Sequence, residues 1–428
     1  MTEKAVGRSV GTVGLAVIIA AGLGYPILIV IARVLSPADA AVFLTFWGIV
    51  FGVGSALSPV EQEVSRQSAL ADVAGKRTPA SAVQAVVIAA CVVALVGLAI
   101  MLPGVSQRLF GSHGVLAVVA LAAGVAFAVQ FGVRGLLIGH HRVKSYGGLV
   151  VAEALARAVL LAAFVVAGLT GIVPLAVAVA AGSFAWLTFS RGAFALVDPR
   201  SGWEPWGPVV RRMVVLMLGA GLTASVLTGY PAVVKLLVTP GDEDRLGALF
   251  LALNVARLPL LLLSPVQAMA VPAVVRLSQD ESGHRTLRAL LIKGAFGAVG
   301  LAALGALLGA LVGPFAVRLL FGAKYVVDPL AVGGLVWSSI LLGAVMLLAA
   351  VLVARVQGNL VMLVWAVVAV LSGAVLLLWP GDTVTRAVLG LVIAPTVGLG
   401  LAFFLVLRGG GRPSGDHVGD AGNVIRGR

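Results

Sequence analysis

The chain has 428 residues, of which 60% are hydrophobic and 11% are charged, and its formal net charge is +13. Soluble domains carry about 25% charged residues, so this composition excludes a soluble globular protein and indicates a polytopic membrane protein. The basic residues stand singly between apolar runs rather than in one patch, which favours membrane topology over a nucleic-acid partner as their cause.

The N-terminal apolar run predicts a first transmembrane helix that is retained. Its charged flank is typical of a signal peptide, but about 24 apolar residues follow without a convincing cleavage site. Runs of about 20 apolar residues then predict twelve spans. In chain order they cover residues 10–33, 40–60, 80–102, 114–138, 147–168, 172–196, 210–238, 246–274, 290–312, 329–354, 359–379 and 384–407, and the Gly-rich residues 409–428 are predicted to form a disordered cytoplasmic tail.

The loops orient the chain and limit its chemistry. The ends and the even-numbered loops hold about twenty Lys and Arg residues, whereas the odd-numbered loops hold about six, so both termini are predicted to be cytoplasmic. The longest loops have about 17 to 20 residues, too few for a soluble catalytic domain. We find no nucleophile and base set, no metal-ligand spacing and no cofactor motif, and therefore predict a protein that is not an enzyme, without catalytic residues, cofactor or metal.

Two short motifs recur at a nearly constant separation. The segment PGVSQRLFG begins at Pro103 and PFAVRLLFG begins at Pro314, 211 residues later, after the third and the ninth span. Gly-Tyr-Pro occurs at residues 24–26 and again at 229–231, 205 residues later, in spans one and seven. Together these matches favour a duplicated unit of six helices. Because six is even, both copies insert in the same orientation, related by an axis along the membrane normal.

The duplication predicts an all-α fold of two pseudo-symmetric six-helix lobes, residues 1–200 and 201–408, around a central cavity. The Gly-Tyr-Pro motifs lie in the first helix of each lobe, which we expect to be broken and to face that cavity. Proline frees a carbonyl and permits bending, which lipid tolerates where the freed group faces protein or water. An ordinary proline kink is the alternative. The predicted matched hinges of an alternating-access transporter are Gly24, Tyr25, Pro26, Gly229, Tyr230 and Pro231.

Four basic side chains fall inside predicted spans, where a charge costs about 2.5 to 3.5 kcal/mol on insertion scales. Arg134 and Lys235 lie near span ends, so each could instead extend to its interface. Arg157 is about ten residues into span five, or about 15 Å at 1.5 Å per residue. Glu153, one turn earlier, is either a coupling acid or the partner of Arg157 in a neutral structural pair.

Arg257 is equally deep in span eight and has no acidic residue within that span. Asn254 and Ser264 lie on roughly the same helix face, which Pro259 and Pro265 interrupt. Deep cations of this kind usually face a bundle interior or an aqueous cavity, and guanidinium groups bind phosphate oxygens bidentately. We therefore predict an anionic cargo, with a pyrophosphate bound in the cavity by Arg257, Arg157, Arg134, Lys235 and Asn254.

Two longer segments resemble the polysaccharide flippases, or Wzx-like proteins, of the multidrug/oligosaccharidyl-lipid/polysaccharide (MOP) exporter superfamily. The segment ARVLSPADAAVFLTFWGIVFGVGSAL from Ala32 is similar to the family's first loop and second helix. The segment NVARLPLLLLSPVQAMAVPAVVRLS from Asn254 is similar to its eighth helix. The RLFG and LLFG segments fit the exits of its third and ninth helices, and the twelve-span plan matches over the whole chain.

The resemblance implies two lobes that alternate between inward-facing and outward-facing states and move a polyprenyl-pyrophosphate-linked sugar outward. Arg257 lies where related flippases place a basic cavity residue. The first span has no basic residue before Arg33, whereas lipid II flippases are more basic there, which makes lipid II a less favoured cargo. Drug-exporting relatives commonly use an acid in the first lobe, for which Glu153 is the deep candidate.

The leading hypothesis is a flippase of the bacterial cytoplasmic membrane for a lipid-linked oligosaccharide, a precursor of a cell-envelope polysaccharide. Its expected partners are that substrate, the lipid bilayer and an envelope polysaccharide polymerase or glycosyltransferases. The alternatives are a cation-coupled multidrug exporter of the same fold and a non-transporting membrane scaffold for envelope synthesis. A membrane-embedded glycosyltransferase or polymerase is a further alternative, but the short outer loops offer no acidic or Arg-rich active site.

Overall fold

The structure is a computed structural model that describes residues 3–237, 242–258, 260, 281–355 and 357–408. Within these ranges eleven helices are long and apolar enough to cross a membrane, with mean hydropathies between 1.6 and 2.7. A helix satisfies its backbone hydrogen bonds internally, which is why apolar runs of this length adopt it in lipid. The chain is therefore an all-α multi-pass membrane protein, as predicted. Most of the eighth predicted span after residue 258, and the tail 409–428, lie outside the described residues.

The first half of the chain is helical apart from one pair of two-residue strands. Strand β1 (Thr78–Pro79) pairs in parallel with β2 (Val197–Asp198), and a 3-10 helix covers Gly182–Phe189. The α-helices are α1 (Glu3–Val34), α2 (Pro37–Ala56), α3 (Ser58–Val73), α4 (Ser81–Ile100), α5 (Pro103–Phe110), α6 (Val115–Gly139), α7 (Val143–Val166), α8 (Ile172–Ala181) and α9 (Ser190–Phe194).

The described part of the second half contains seven α-helices. They are α10 (Trp206–Leu227), α11 (Tyr230–Leu237), α12 (Glu243–Ala256), α13 (Glu281–Phe321), α14 (Pro329–Ala354), α15 (Gly358–Leu378) and α16 (Thr383–Arg408). Helix α6 packs against α3 and α4 in the first half, and α14 packs against α13 and α16 in the second. Helix α2 joins the halves, because it packs along α10, α11 and α12. The predicted lobe boundary at residue 200 falls between β2 and α10 and stays a prediction.

Two predicted loops are helical in part. The loop predicted after residue 60 is helix as far as Val73, and the one predicted before residue 290 is helix from Glu281. Helix α3 is amphipathic: Val60, Val64, Gln67 and Ala71 are buried on one face while polar residues occupy the other. A scan for uniformly apolar runs stops at such a helix, so the predicted span 40–60 ends before the helical structure does.

The repeated segments end their helices in the same way. Helix α5 ends at Phe110 and α13 ends at Phe321, and the next residue in each case is a glycine with positive φ, 58° at Gly111 and 114° at Gly322. Glycine adopts such angles without steric cost and commonly ends helices. The copies differ upstream, since Pro103 begins a short separate helix and Pro314 lies inside α13.

On the predicted outer side, a basic side chain from each half caps the C-terminal end of a helix in the other half. Arg33, in the last turn of α1, donates from Nη2 to the carbonyl oxygen of Leu319 at 2.8 Å and from Nε to that of Leu320 at 3.3 Å. Lys324 follows α13 and donates to the carbonyl oxygen of Leu35 at 2.5 Å. The last carbonyls of a helix lack partners within it and attract positive charge. Each half therefore caps a helix of the other half.

An ion-pair cluster joins the halves on the predicted cytoplasmic side. Arg212 of α10 donates to the carboxylate of Glu63 in α3 at 2.9 Å. Arg66 and Gln67 donate to the same carboxylate, each at 2.8 Å. The Glu63 side chain is 8% exposed, so these three donors replace the water that burial removes. The two halves are thus in contact on both the predicted outer side and the predicted cytoplasmic side, and a cavity lies between these two contacts.

Candidate functional site

A cavity of about 200 Å³ lies where the first half meets α12. Its wall is mostly apolar and comes from α1, α2, α7 and α12. Arg157 is the charged side chain among the described residues that line it. The residues that shape its chemistry are Gly24, Tyr25, Trp47, Phe51, Arg157 and Asn254.

Three side chains donate hydrogen bonds to the carboxylate of Glu153. Arg157, one turn further along α7, contacts one oxygen, and Arg134 of α6 contacts the other. Gln130 of α6 donates to that second oxygen at 2.7 Å. The side chains of Glu153 and Arg157 are each 9% exposed and that of Arg134 is 13% exposed. The predicted pair is thus part of a buried cluster in which two guanidinium groups face one carboxylate.

A second carboxylate lies beside this cluster. Glu61 of α3 interacts electrostatically with Arg134 and Glu153. The hydroxyl of Tyr146, near the start of α7, donates to Oε1 of Glu61 at 2.9 Å. Counting both acids, the two positive and two negative charges balance, which lowers the cost of keeping four ionised groups within the membrane region.

Aromatic rings and a glycine hold Arg157 in position. Its guanidinium carbon lies 4.6 Å from the ring centroid of Phe51 and 5.7 Å from that of Phe127. Cation–π contacts at these distances strengthen when they are shielded from water. The opposite wall is Gly182, where an added Cβ would lie 2.4 Å from Nε and 2.6 Å from Cγ of Arg157. Only a residue without a side chain leaves room for this guanidinium.

Gly182→Ala is expected to lower the stability of the protein by about 1–3 kcal/mol, because the added methyl group overpacks a buried site. The methyl group would displace Arg157 from Glu153. Thermal unfolding of the detergent-purified variant measures this loss. Gly24→Ala is the control, since a Cβ there would meet nothing within 4 Å. Unfolding of Gly182→Ala at the wild-type temperature would show that Gly182 does not fix the position of Arg157.

Arg257 caps the broken helix of the second half. It follows the last residue of α12, and its Nη2 donates to the carbonyl oxygen of Val226 at 2.8 Å. That carbonyl belongs to the last turn of α10, where carbonyls lack helical partners. Arg257 also interacts electrostatically with Tyr25 and Tyr230, the tyrosines of the two Gly-Tyr-Pro motifs. Its buried Nε has no hydrogen-bond partner within the part of the chain that the structure describes.

The two Gly-Tyr-Pro motifs have different backbones. Helix α1 runs unbroken through Pro26, so the expected break is absent there. A Cβ at Gly22 or Gly24 would meet nothing within 4 Å, so no other described segment packs closely on α1 at these two positions. At the second motif α10 ends at Leu227 and α11 begins at Tyr230, as expected. The hinge roles of both motifs stay predictions.

The non-helical residues between α10 and α11, Thr228 and Gly229, pack directly on α2. A Cβ at Gly48 would lie 2.9 Å from the carbonyl oxygen of Thr228, and one at Gly52 would lie 3.6 Å from Cα of Gly229. Gly48 and Gly52 are one turn apart on the same helix. Their missing side chains let the irregular backbone of Thr228 and Gly229 approach α2 closely, which keeps its polar groups against protein instead of lipid.

The other predicted residues divide between the cavity and its surroundings. Tyr25 donates to the carbonyl oxygen of Asn254 at 3.4 Å, and both line the cavity. Tyr230 is instead buried, and its hydroxyl donates to the carbonyl oxygen of Ala387 at 2.7 Å. Lys235, with 7% of its side chain exposed, pairs with Glu243 outside the cavity. Neither Arg134, which donates to Glu153, nor Arg257 is among the described residues that line the cavity. Ser264, Pro259 and Pro265 lie outside the described residues.

Four residues of the site were not predicted from the sequence: Trp47, Phe51, Gln130 and Gly182. The four-residue spacing of Trp47 and Phe51 in α2 was a usable signal, because it puts both rings on one helix face. Gln130 and Gly182 gave none, since their partners are on other helices. Among the described residues no group of three or more His, Cys, Asp or Glu side chains is placed to hold a metal ion.

Comparisons with known proteins identify the fold. No protein-family model matches the chain. The chain is 32% identical over 419 residues to the uncharacterized protein Rv3630 of Mycobacterium tuberculosis (strain ATCC 25618 / H37Rv), which covers 94% of this chain and 92% of that protein. An inward-facing multidrug resistance MATE family transporter of the MOP superfamily matches with a TM-score of 0.66 at 14% identity, over 90% of this chain and 94% of its own.

A second solved structure supports the same architecture. The lipid II flippase MurJ, in an inward closed conformation, matches with a TM-score of 0.65 at 14% identity, over 92% of this chain and 87% of its own. Both neighbours have twelve helices in two lobes, which confirms the predicted fold class. The chain belongs to the family of the mycobacterial protein Rv3630, and its fold is that of the transporters and flippases of the MOP superfamily.

Proposed function

We propose that the protein is a flippase that moves a polyprenyl-pyrophosphate-linked oligosaccharide, a precursor of a cell-envelope polysaccharide, from the inner to the outer leaflet. The observation that carries this proposal is the cavity at the junction of the halves, which Arg157 lines and which has no carboxylate among its described lining residues. A guanidinium in a site shielded from water favours an anion and binds phosphate oxygens bidentately. The fold shared with a lipid II flippase supports a lipid-linked anion as the cargo.

The proposed pyrophosphate site uses one guanidinium from each half. Arg157 comes from α7 and Arg257 from the end of α12, and Tyr25 interacts with Arg257 and lines the cavity with Arg157. Two phosphate groups match two guanidinium groups. Asn254 would contribute a polar contact, and Arg134 would hold Glu153 in place.

Transport would proceed by relative movement of the proposed lobes, residues 1–200 and 201–408. The break at Gly229 is one hinge, and Gly24, with open space around it, is the other. The excess of Lys and Arg in the ends and even-numbered loops supports cytoplasmic termini and a location in the bacterial cytoplasmic membrane. Glycosyltransferases would supply such a substrate on the inner face, and a polysaccharide polymerase would consume it outside.

The geometry of Glu153 disfavours the cation-coupled drug exporter. Its carboxylate already accepts from Arg134, Arg157 and Gln130. Binding a proton or a sodium ion there would leave two buried guanidinium groups without a full counter-charge, which is strongly unfavourable. The same carboxylate is therefore better suited to holding Arg157 towards the cavity than to carrying a coupling ion.

Lipid movement in proteoliposomes tests the proposal. The purified protein should move a fluorescent polyprenyl-pyrophosphate oligosaccharide between leaflets, and Arg257→Ala should slow this movement by about 10- to 100-fold, as expected for losing a charge-assisted hydrogen bond of about 1.5–3 kcal/mol. Arg355→Ala is the matched control, because Arg355 also caps a helix, donating to the carbonyl oxygen of Val406 at 2.6 Å, but lies away from the cavity. Equal rates in all three proteins would contradict the assigned site.

The same vesicles separate the alternatives. Efflux of a cationic dye that depends on a proton or sodium gradient and disappears in folded Glu153→Gln would identify a drug exporter. A folded protein that moves neither the dye nor the lipid would indicate the membrane scaffold.

A further inference from the structure

We propose that Trp47 and Phe51 form an aromatic subsite for the sugar ring bonded to the pyrophosphate. The proposal rests on the proposed function, because it assigns a second part of the same substrate to the same cavity. It adds to the proposed function that the cavity recognises a sugar ring as well as the charge of the pyrophosphate. The first sugar would be selected there, whereas sugars further along the oligosaccharide would not be.

The two rings are stacked against each other in the cavity wall. Trp47 and Phe51 are one turn apart on α2, and their ring centroids are 4.4 Å apart with an interplanar angle of 28°. Both residues line the cavity with Arg157. The guanidinium carbon of Arg157 is 4.6 Å from the Phe51 centroid. An anion held by Arg157 would therefore have the aromatic pair beside it, where the next group of the substrate must lie.

The indole N–H of Trp47 is free to bind a ligand. Tryptophan N–H groups usually find a hydrogen-bond partner when buried, and even in the partly buried Trp337 Nε1 donates to Oγ1 of Thr396 at 3.1 Å. In the part of the chain that the structure describes, Nε1 of Trp47 has no partner and, unlike Nε1 of Trp186, is not sealed from solvent. Since Trp47 lines the cavity, the proposal places this donor against a hydroxyl group of the sugar.

The chemistry of a pyranose ring matches this wall. One face of such a ring presents C–H groups, which the negative face of an aromatic ring attracts, while its rim presents hydroxyls that need polar partners. Trp47 offers both kinds of contact. A prenyl chain would use the aromatic surface but not the N–H donor, so the free donor favours the sugar.

The size of the cavity limits recognition to the first sugar. Its volume of about 200 Å³ is below the roughly 300 to 1,000 Å³ of pockets that enclose drug-sized ligands. The cavity is therefore too small for a whole oligosaccharide, and the proposal assigns to it one ring beside the pyrophosphate. The remaining sugars would extend beyond the cavity, and their identity would matter little for binding.

Binding measurements on the full-length protein in nanodiscs test the subsite. The probes are polyprenyl pyrophosphate, the same lipid with one hexose, and the same lipid with a trisaccharide. Trp47→Ala should bind both glycosylated lipids at least tenfold more weakly than the wild type and bind the sugar-free lipid unchanged. Trp47→Phe should retain part of the difference, because it keeps a ring and loses the donor. Trp337→Ala, outside the cavity, should bind all three lipids normally.

The outcomes separate this proposal from the proposed function. If the wild type binds none of the lipids, the flippase proposal fails and the subsite fails with it. If the wild type binds them but Trp47→Ala weakens all three equally, Trp47 has a structural role and the subsite is overturned, while the flippase proposal stands. Normal binding of every lipid by a folded Trp47→Ala protein also overturns the subsite.

Discussion

Glu153→Gln should destabilise the protein by about 3–5 kcal/mol, the cost typical of removing one partner from a buried ion pair. The substitution leaves the guanidinium groups of Arg134 and Arg157 in a region where their side chains are 13% and 9% exposed. Glutamine keeps the shape of the side chain and one carbonyl oxygen, so the loss is one of charge. Thermal unfolding in detergent and the yield of monodisperse protein report the effect.

Two further variants show whether the lost charge causes the destabilisation of Glu153→Gln. Asp242→Asn removes an acid whose pair with Arg245 is 3.5 Å long and about half exposed, and should change stability by less than about 1 kcal/mol. Replacing Glu153, Arg134 and Arg157 by methionine together with Glu61→Gln, which removes the second buried acid, should restore most of the stability, since hydrophobic replacement of a whole buried cluster is often neutral. That quadruple variant should not transport. Wild-type stability of Glu153→Gln would mean that the cluster is not held together by this carboxylate.

Gly247→Val should prevent the halves from closing on the predicted outer side. A Cβ at Gly247 in α12 would lie 2.0 Å from the carbonyl oxygen of Pro37 and 2.9 Å from its carbonyl carbon. Both are backbone atoms at the start of α2, so neither can rotate away as a side chain could. Relief requires α12 to move away from α2, and the capping contacts of Arg33 and Lys324 should separate with it. The population should shift towards a form that is open on this side.

Labelling of a single cysteine measures this opening. In a Cys91→Ser background, Leu35→Cys introduces a thiol at a position that is 4% exposed in the closed form. A membrane-impermeant maleimide should label it slowly in the parent and at least tenfold faster with Gly247→Val. Gly219→Val is the control, because a Cβ at Gly219 would meet nothing within 4 Å. Unchanged labelling in a folded Gly247→Val protein would show that this contact does not hold the outer side closed.

Eleven of the twelve predicted spans correspond to membrane-length helices in the described part of the chain, because hydropathy is a property of consecutive residues. The Glu153 and Arg157 pair was also accessible, since a four-residue spacing in a helix brings two side chains together. The roles of Arg134 and Gly182 could not be predicted from the sequence. Arg134 reaches Glu153 from another helix, and Gly182 matters only because Arg157 occupies the space beside it. Such contacts depend on how helices pack, which no local pattern encodes.

The Gly-Tyr-Pro motifs show most clearly what a local sequence pattern cannot predict, because the same three residues lie in a continuous helix in the first half and at a helix break in the second half. The difference comes from the neighbours. At the second motif, Arg257 caps the carbonyl of Val226, and Gly48 makes room for that of Thr228. At the first motif, Gly22 and Gly24 have open space. The motif permits a break, and the surrounding helices determine whether it forms.

The most direct measurement of the central claim, that Arg157 and Arg257 bind the two phosphates of one pyrophosphate, compares the affinities for polyprenyl pyrophosphate and polyprenyl monophosphate. The purified wild type should bind the pyrophosphate at least tenfold more tightly. Arg157→Gln and Arg257→Gln should each abolish that preference, because either variant leaves one phosphate without its guanidinium, and Arg355→Gln should keep it. A preference for pyrophosphate that survives in both folded Arg157→Gln and Arg257→Gln proteins would contradict the account.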